Sequence, residues 1–202
     1  MSDPGERTDV LSRLCRARPD GEPLKFHEIL FYVHVLLLAG NGTTRNSITM
    51  GVQALLEHPD QLRKLVEDPS LMKSATEEIL RWSSTLIQMA RTCKQDTDIR
   101  GQRIRKGETL VMFYPAANRD PDVFEDPYCF DIARDPNPHF AFGGYGEHFC
   151  LGASLARLEL RSVLSALLPL LPELEQAGDA ALVATHMQLG EMKRLPVRFR
   201  QN

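Results

Sequence analysis

The chain has 202 residues, of which 43% are hydrophobic and 25% charged, a balance that suits a folded domain with a core and excludes a disordered chain. A net charge of -3 gives no basic excess for nucleic-acid binding. The four cysteines, Cys15, Cys93, Cys129 and Cys150, are scattered without a C-x-x-C pair, which speaks against a disulfide framework or zinc knuckle and fits a reducing cytoplasm.

The opening, Met1-Ser-Asp-Pro-Gly-Glu-Arg7, is polar and turn-like, and no signal peptide is expected in it. Val10 to Arg18 predicts a short helix, broken by Arg18-Pro-Asp-Gly-Glu-Pro23. From about residue 24 a long helical pattern runs to residue 57. Its longest apolar run, Ile29 to Ala39, contains His34 and is too short to span a bilayer, so no membrane span is expected. Ala39-Gly-Asn-Gly-Thr-Thr44 interrupts the helix with poor helix formers, each Gly costing about 1 kcal/mol relative to Ala. Such an interruption admits a ligand, a water or a kink, or else marks a small-residue crossing against another helix.

His58-Pro-Asp60 ends that helix, and Pro59 suits the first turn of a short one to Glu67. A further helix, about 70–82, carries Glu78 and Arg81, an i,i+3 pair that in isolation reads as a surface salt bridge of little worth. Arg91 to Glu108 is strand-like, with turns at Gly101 and at Lys106-Gly107, and Leu110 to Tyr114 is apolar. Residues 118–138 form a Pro-, Asp- and Asn-rich meander of a length that is usually functional inside a compact domain. After it, 152–168 shows a 3.6-residue apolar period ended by Pro169 and Pro172. The tail, Leu182 to Phe199, predicts a β-hairpin turning near Glu191 to Arg194. The fold class is therefore mainly α with a minor β component.

The loop Phe140-Ala-Phe-Gly-Gly-Tyr-Gly-Glu-His-Phe-Cys-Leu-Gly-Ala153 joins the meander to the last helix. It delivers one thiol, Cys150, to a helix start, where the helix dipole and nearby N–H groups favour thiolate. Glycines beside that sulfur allow close approach by something flat and bulky. A thiolate there serves as a nucleophile, a redox thiol or a metal ligand, and the loop alone does not choose among them.

The order of motifs does choose. A long helix carrying Ala-Gly-x-x-Thr-Thr, then Glu-x-x-Arg, a meander and a Gly-rich loop with His-x-Cys-x-Gly resembles the C-terminal, haem-binding half of the cytochrome P450 fold, from about Val10 to Phe199. The resemblance implies one partial P450 domain over 1–202, a haem b (iron protoporphyrin IX) cofactor and a monooxygenase. Cys150 matches the axial ligand that pushes electron density onto iron. His148 and Arg91 match the donors to the haem propionates, and Phe142 the aromatic beside the cysteine loop. Gly144 and Gly152 match the loop's glycines. Glu78 and Arg81 match a buried structural ion pair. Ala39 and Gly40 match the small residues that let the long helix pass over the haem, while Thr43, with Asn41 beside it, matches the alcohol that helps deliver protons to dioxygen.

Ala39-Gly-Asn-x-Thr-Thr-Arg-Asn-Ser-Ile-Thr49, Glu57-His-Pro-Asp-Gln61, Asn137-Pro-His139 and one extra residue between Phe142 and Cys150 are similar to actinobacterial enzymes that oxidise cholesterol side chains and methyl-branched lipids. This implies a small lipophilic substrate, sterol or lipid-like, hydroxylated at an aliphatic C–H with electrons from a ferredoxin and its reductase. Leu86, Ile87, Met89 and Ala90 read either as substrate-lining residues or as ordinary core. Four departures stand against the family pattern. Gly42 replaces the acid that precedes the threonine. Cys129 stands where a third arginine is expected, with Arg134 nearby. Thr85 replaces a proline and implies a looser path into the substrate pocket. Relatives run to about twice this length. The alternative is a truncated, non-catalytic haem-binding remnant or an interaction module.

Overall fold

The computed structural model describes residues 7–185 and 189–201. The chain divides into two compact units, Met1–Gly42 and Thr43–Asn202.

In the first unit, helix α1 (Val10–Arg16) is capped by Asp9, whose carboxylate accepts both the Ser12 N–H at 3.0 Å and the Ser12 hydroxyl at 2.8 Å. Helix α2 runs Phe26–Glu57, and the Lys25 N–H donates to Glu28 Oε2 at 2.6 Å at its start. Ile29 is buried, whereas Phe26, Phe31, Leu37 and Leu38 are exposed. The expected interruption at 39–44 does not occur: α2 is helical throughout. Propensity is a local term of about 1 kcal/mol per Gly, and the cooperativity of a helix that continues on both sides of the segment outweighs it.

The second unit holds the main core. The C-terminal part of α2 contributes Ala54 and Leu55; α3 (Pro59–Glu67) contributes Leu62 and Leu65; α4 (Met72–Ser83) contributes Ala75 and Ile79. Helix α6 (Ala153–Leu167) adds Leu160 and Leu164 from its apolar stripe, and the meander adds Phe130 and Ile132. Gly51 lets α2 approach α4 closely: a Cβ there would lie 2.7 Å from Ile79 Cγ2.

Among the described residues the strands form four antiparallel pairs. Strand β1 (Gln88–Thr92) pairs with β4 (Thr109–Phe113), and β2 (Thr97–Ile99) with β3 (Gln102–Ile104) about a turn where Arg100 and Gly101 take positive φ. A short α5 (Tyr114–Ala117) follows β4. Strand β5 (Leu174–Gln176) pairs with β8 (Val197–Phe199), and β6 (Ala181–Thr185) with β7 (Leu189–Arg194). The tail therefore differs from expectation. Glu191 to Arg194 lie inside β7, and the connection from β6 to β7 falls on 186–188, outside the described residues. No helix among the described residues is long and apolar enough to cross a membrane.

Candidate functional site

Cys150 is a free, exposed thiol two residues before Gly152, the N-cap of α6. The loop around it is held by its own backbone. Gly143 N–H donates to Phe140 O at 2.9 Å, Cys150 N–H to Phe142 O at 3.1 Å, and Ala153 N–H to Cys150 O at 3.2 Å. Gly143 (φ +84) and Gly146 (φ +94) occupy left-handed backbone that other residues rarely adopt. Gly144 sits over the Phe140 ring, where a Cβ would come within 3.1 Å of Cε1. At Gly152 a Cβ would stand 4.0 Å from the Cys150 sulfur. His148 is exposed on the same loop. Arg91, exposed on β1 opposite Leu110, gives one guanidinium N–H to the Ala90 carbonyl at 2.9 Å. Phe142 is half-buried with the Arg157 guanidinium 4.5 Å from its ring centre, a cation over an aromatic face.

Beneath the loop lies an ion pair with no solvent exposure. Arg81 forks both oxygens of Glu78, Nε to Oε2 at 2.8 Å and an Nη to Oε1 at 2.7 Å. Its remaining N–H groups reach the carbonyls of Asn118 (2.9 Å), Pro127 (2.8 Å) and Cys129 (3.0 Å). All five guanidinium donors are thus used. Glu78 also accepts the Asp131 N–H at 2.9 Å and the Asn137 amide at 3.0 Å. The further cation near Glu78 is Arg134, whose Nε lies 3.3 Å from Oε2. Arg134 also donates to the carbonyls of Glu125, Asp126 and Cys129. Cys129 leaves no gap in this network, since only its carbonyl takes part.

The neighbouring carboxylate, Glu77, has a separate role. Arg157 forks it at 2.8 Å from both Nε and one Nη, and His139 Nε2 lies 3.0 Å away. His139 Nδ1 accepts the Ala141 N–H at 3.2 Å, which assigns the neutral Nε2–H tautomer donating to Glu77. Burial raises the Glu77 pKa, but the hydrogen bonds from His139 and Arg157, with the Arg157 charge, outweigh it and hold the carboxyl at about 2. Glu77, Arg157 and Asn118 carry no sequence signal of their own, and His139 only its place in Asn137-Pro-His139.

Ala39, Gly40 and Asn41 lie exposed in the first unit, while Thr43, half-buried, opens the second. A Cβ on Gly40 or Gly42 would meet nothing within 4 Å. The Thr85 hydroxyl bonds that of Ser47 at 3.2 Å, and its carbonyl accepts the Gly190 N–H at 2.9 Å. Leu86, Ile87 and Met89 are partly buried and Ala90 is exposed.

Comparison with known proteins gives one consistent result. The family described as Cytochrome P450 matches residues 1–171. The chain is 43% identical over 192 residues to a methyl-branched lipid omega-hydroxylase of Mycobacterium tuberculosis, covering 95% of this chain and 45% of that protein. It is 44% identical over 171 residues to a steroid C26-monooxygenase of Rhodococcus jostii, covering 85% and 36%. A Mycobacterium marinum cytochrome P450 solved in complex with pseudoionone superimposes with a TM-score of 0.91 at 38% identity, over 96% of this chain and 47% of that one. The chain thus spans less than half the length of these curated relatives. From the family match, these identities and the shared fold, the chain belongs to the cytochrome P450 family.

Proposed function

We propose that the chain provides the haem-thiolate half of a monooxygenase that hydroxylates an aliphatic C–H of a sterol or methyl-branched lipid. The observation that carries this is Cys150: a free, exposed thiol at the start of α6, on a loop whose glycines keep side chains away from it. The family implies a haem cofactor, and the donor set suits one. A single soft thiolate fits an iron that brings its other ligands in a macrocycle, and exposed His148 and Arg91 are donors matched to its propionates. Bound haem would supply dioxygen activation and insertion of one oxygen atom into the substrate, with electrons from a ferredoxin and its reductase.

The chain's own residues then have distinct tasks. Cys150 would ligate the iron, and Phe142 packs beside the loop. Ala39 and Gly40 leave room along α2. Thr43 donates a proton towards the oxygen site, with Asn41 next to it. Gly42 places no titrating group before Thr43, so with haem bound proton delivery would be slow and reducing equivalents would be lost to peroxide. The substrate class rests on the two relatives named above, a methyl-branched lipid omega-hydroxylase and a steroid C26-monooxygenase.

Gly42 is also the observation that favours a second reading, a haem-binding remnant without turnover. Haem-supplemented expression, reduction and carbon monoxide separate the cases. A strongly red-shifted thiolate–CO Soret band is expected, and Cys150→Ser abolishes it. A histidine-like band, or none, sinks the haem-thiolate reading. Turnover of a sterol or branched fatty acid then divides enzyme from remnant.

A further inference from the structure

Asn118 has no solvent exposure and uses every polar group it has. Its N–H donates to Tyr114 O at 2.9 Å, and its carbonyl accepts from Arg81 at 2.9 Å. Its side-chain amide donates to Ser84 Oγ at 2.8 Å, and Ser84 passes its own hydroxyl proton to Arg81 O at 2.7 Å. The remaining atom, Oδ1, accepts the backbone N–H of Phe140 at 2.6 Å. Phe140 is the first residue of the Cys150 loop. Its carbonyl holds Gly143, its ring lies against Gly144, and two residues on Phe142 O holds the Cys150 N–H.

One amide therefore joins the buried Glu78–Arg81 pair, the end of α4 and the stem of the thiol loop. Ser84 itself stands at φ 40, so the end of α4 is a defined, non-helical platform. Neighbouring stem residues are fixed from the same helix: Asn137 to Glu78 and His139 to Glu77. Both of those contacts run through side chains of the stem. The Asn118–Phe140 bond grips the stem's main chain itself, from a residue whose own carbonyl accepts from Arg81.

We propose that Asn118 is a positioning residue for Cys150, fixing the register of the thiol loop through the Phe140 N–H. This rests on the haem-thiolate reading for its consequence, but the bond is testable without haem. The experiment compares wild type, Asn118→Ala and Asn118→Asp. In the haem-free full chain, Phe140 amide exchange is expected to accelerate about tenfold in Asn118→Ala and to stay near wild type in Asn118→Asp, which keeps an acceptor. Ile79, in the core of α4, reports global stability and is expected to stay protected in both. In haem-loaded protein, the thiolate share of the carbon-monoxide band is expected to fall in Asn118→Ala and recover in Asn118→Asp. If Asn118→Ala does not fold, Asn118→Ser, too short to reach Phe140, takes its place.

Unchanged Phe140 exchange in the deletion variant overturns the proposal. So does an Asp variant as impaired as Ala, or a carbon-monoxide spectrum that is the same in Asn118→Ala as in wild type. A wild type that binds no haem sinks the haem-thiolate reading instead. In that event the rate of Cys150 alkylation, with Phe140 exchange, decides the loop-positioning claim: a rate equal in wild type and Asn118→Ala overturns it.

Discussion

His139 and Ala141 fix the state of Glu77: the Ala141 N–H points at His139 Nδ1 at 3.2 Å, so the opposite ring nitrogen carries the proton that reaches Glu77 at 3.0 Å. With Arg157 forked on the same carboxylate, Glu77 ties the start of the thiol loop to α6. The bound carboxylate has a pKa of about 2 against an ordinary 4.5. A depressed carboxyl pKa contributes stability that is fully present above about pH 4.5 and is lost as pH falls towards 2.

Glu77→Gln should therefore flatten the acid limb of the stability curve. Urea midpoints between about pH 2 and 5 are expected to fall with acid more steeply in wild type than in the variant. At neutral pH the variant should be less stable by about 1–2 kcal/mol, an allowance that discounts for the solvent still reaching Glu77. Equal acid slopes would show that Glu77 is not the linked group.

Removing one partner of the Glu78–Arg81 pair leaves a buried charge unpaired. Arg81→Ala or Glu78→Ala should each lose about 3–5 kcal/mol in denaturant titration, enough to unfold a marginal domain. Replacing both by apolar residues should not restore the lost stability, because the carbonyls of Asn118, Pro127 and Cys129 and the Asp131 N–H would lose their buried partners. Arg81→Lys should not restore it either, since an ammonium has three donors where five are used.

Two glycines of the same helix should respond oppositely. Gly51→Ala places a Cβ 2.7 Å from Ile79 Cγ2, so overpacking of about 1–3 kcal/mol outweighs the gain in helix propensity. Gly42→Ala meets open space and should stabilise by about 0.5–1 kcal/mol. Thermal midpoints of the two variants moving in the same direction would contradict the close α2–α4 packing.

Gly42→Glu tests the missing acid. A Cβ at position 42 meets open space, and glutamate is a better helix former than glycine, so folding should be retained. In a reconstituted system, product formed per NAD(P)H consumed is expected to rise. An unchanged ratio would remove Gly42 as the cause of uncoupling.

The motifs carrying chemistry were legible because each is local: Glu78 and Arg81 share one helical face, and Cys150 follows its glycines directly. The apolar period of α6 was legible for the same reason. What was not legible depends on contacts distant in sequence. Asn118 meets Phe140 across 22 residues and Glu77 meets Arg157 across 80. Nothing in the spacing of those residues announces the meeting. Gly40 and Gly42 misled in the other direction, since their propensity argues for a break where the helix continues. The hairpin turn was placed inside β7 because Glu191, Lys193 and Arg194 are polar residues of a strand.

Arg81 holds the meander by the carbonyls of Asn118, Pro127 and Cys129, not by their side chains. Every amino acid offers a carbonyl, so the grip is indifferent to spelling. At Pro127 and Cys129 the meander is free to drift in composition provided its path is kept. A saturation library over this segment should therefore tolerate most replacements at Cys129 while rejecting insertions and deletions of even one residue, because these would move the carbonyls away from a guanidinium that cannot follow.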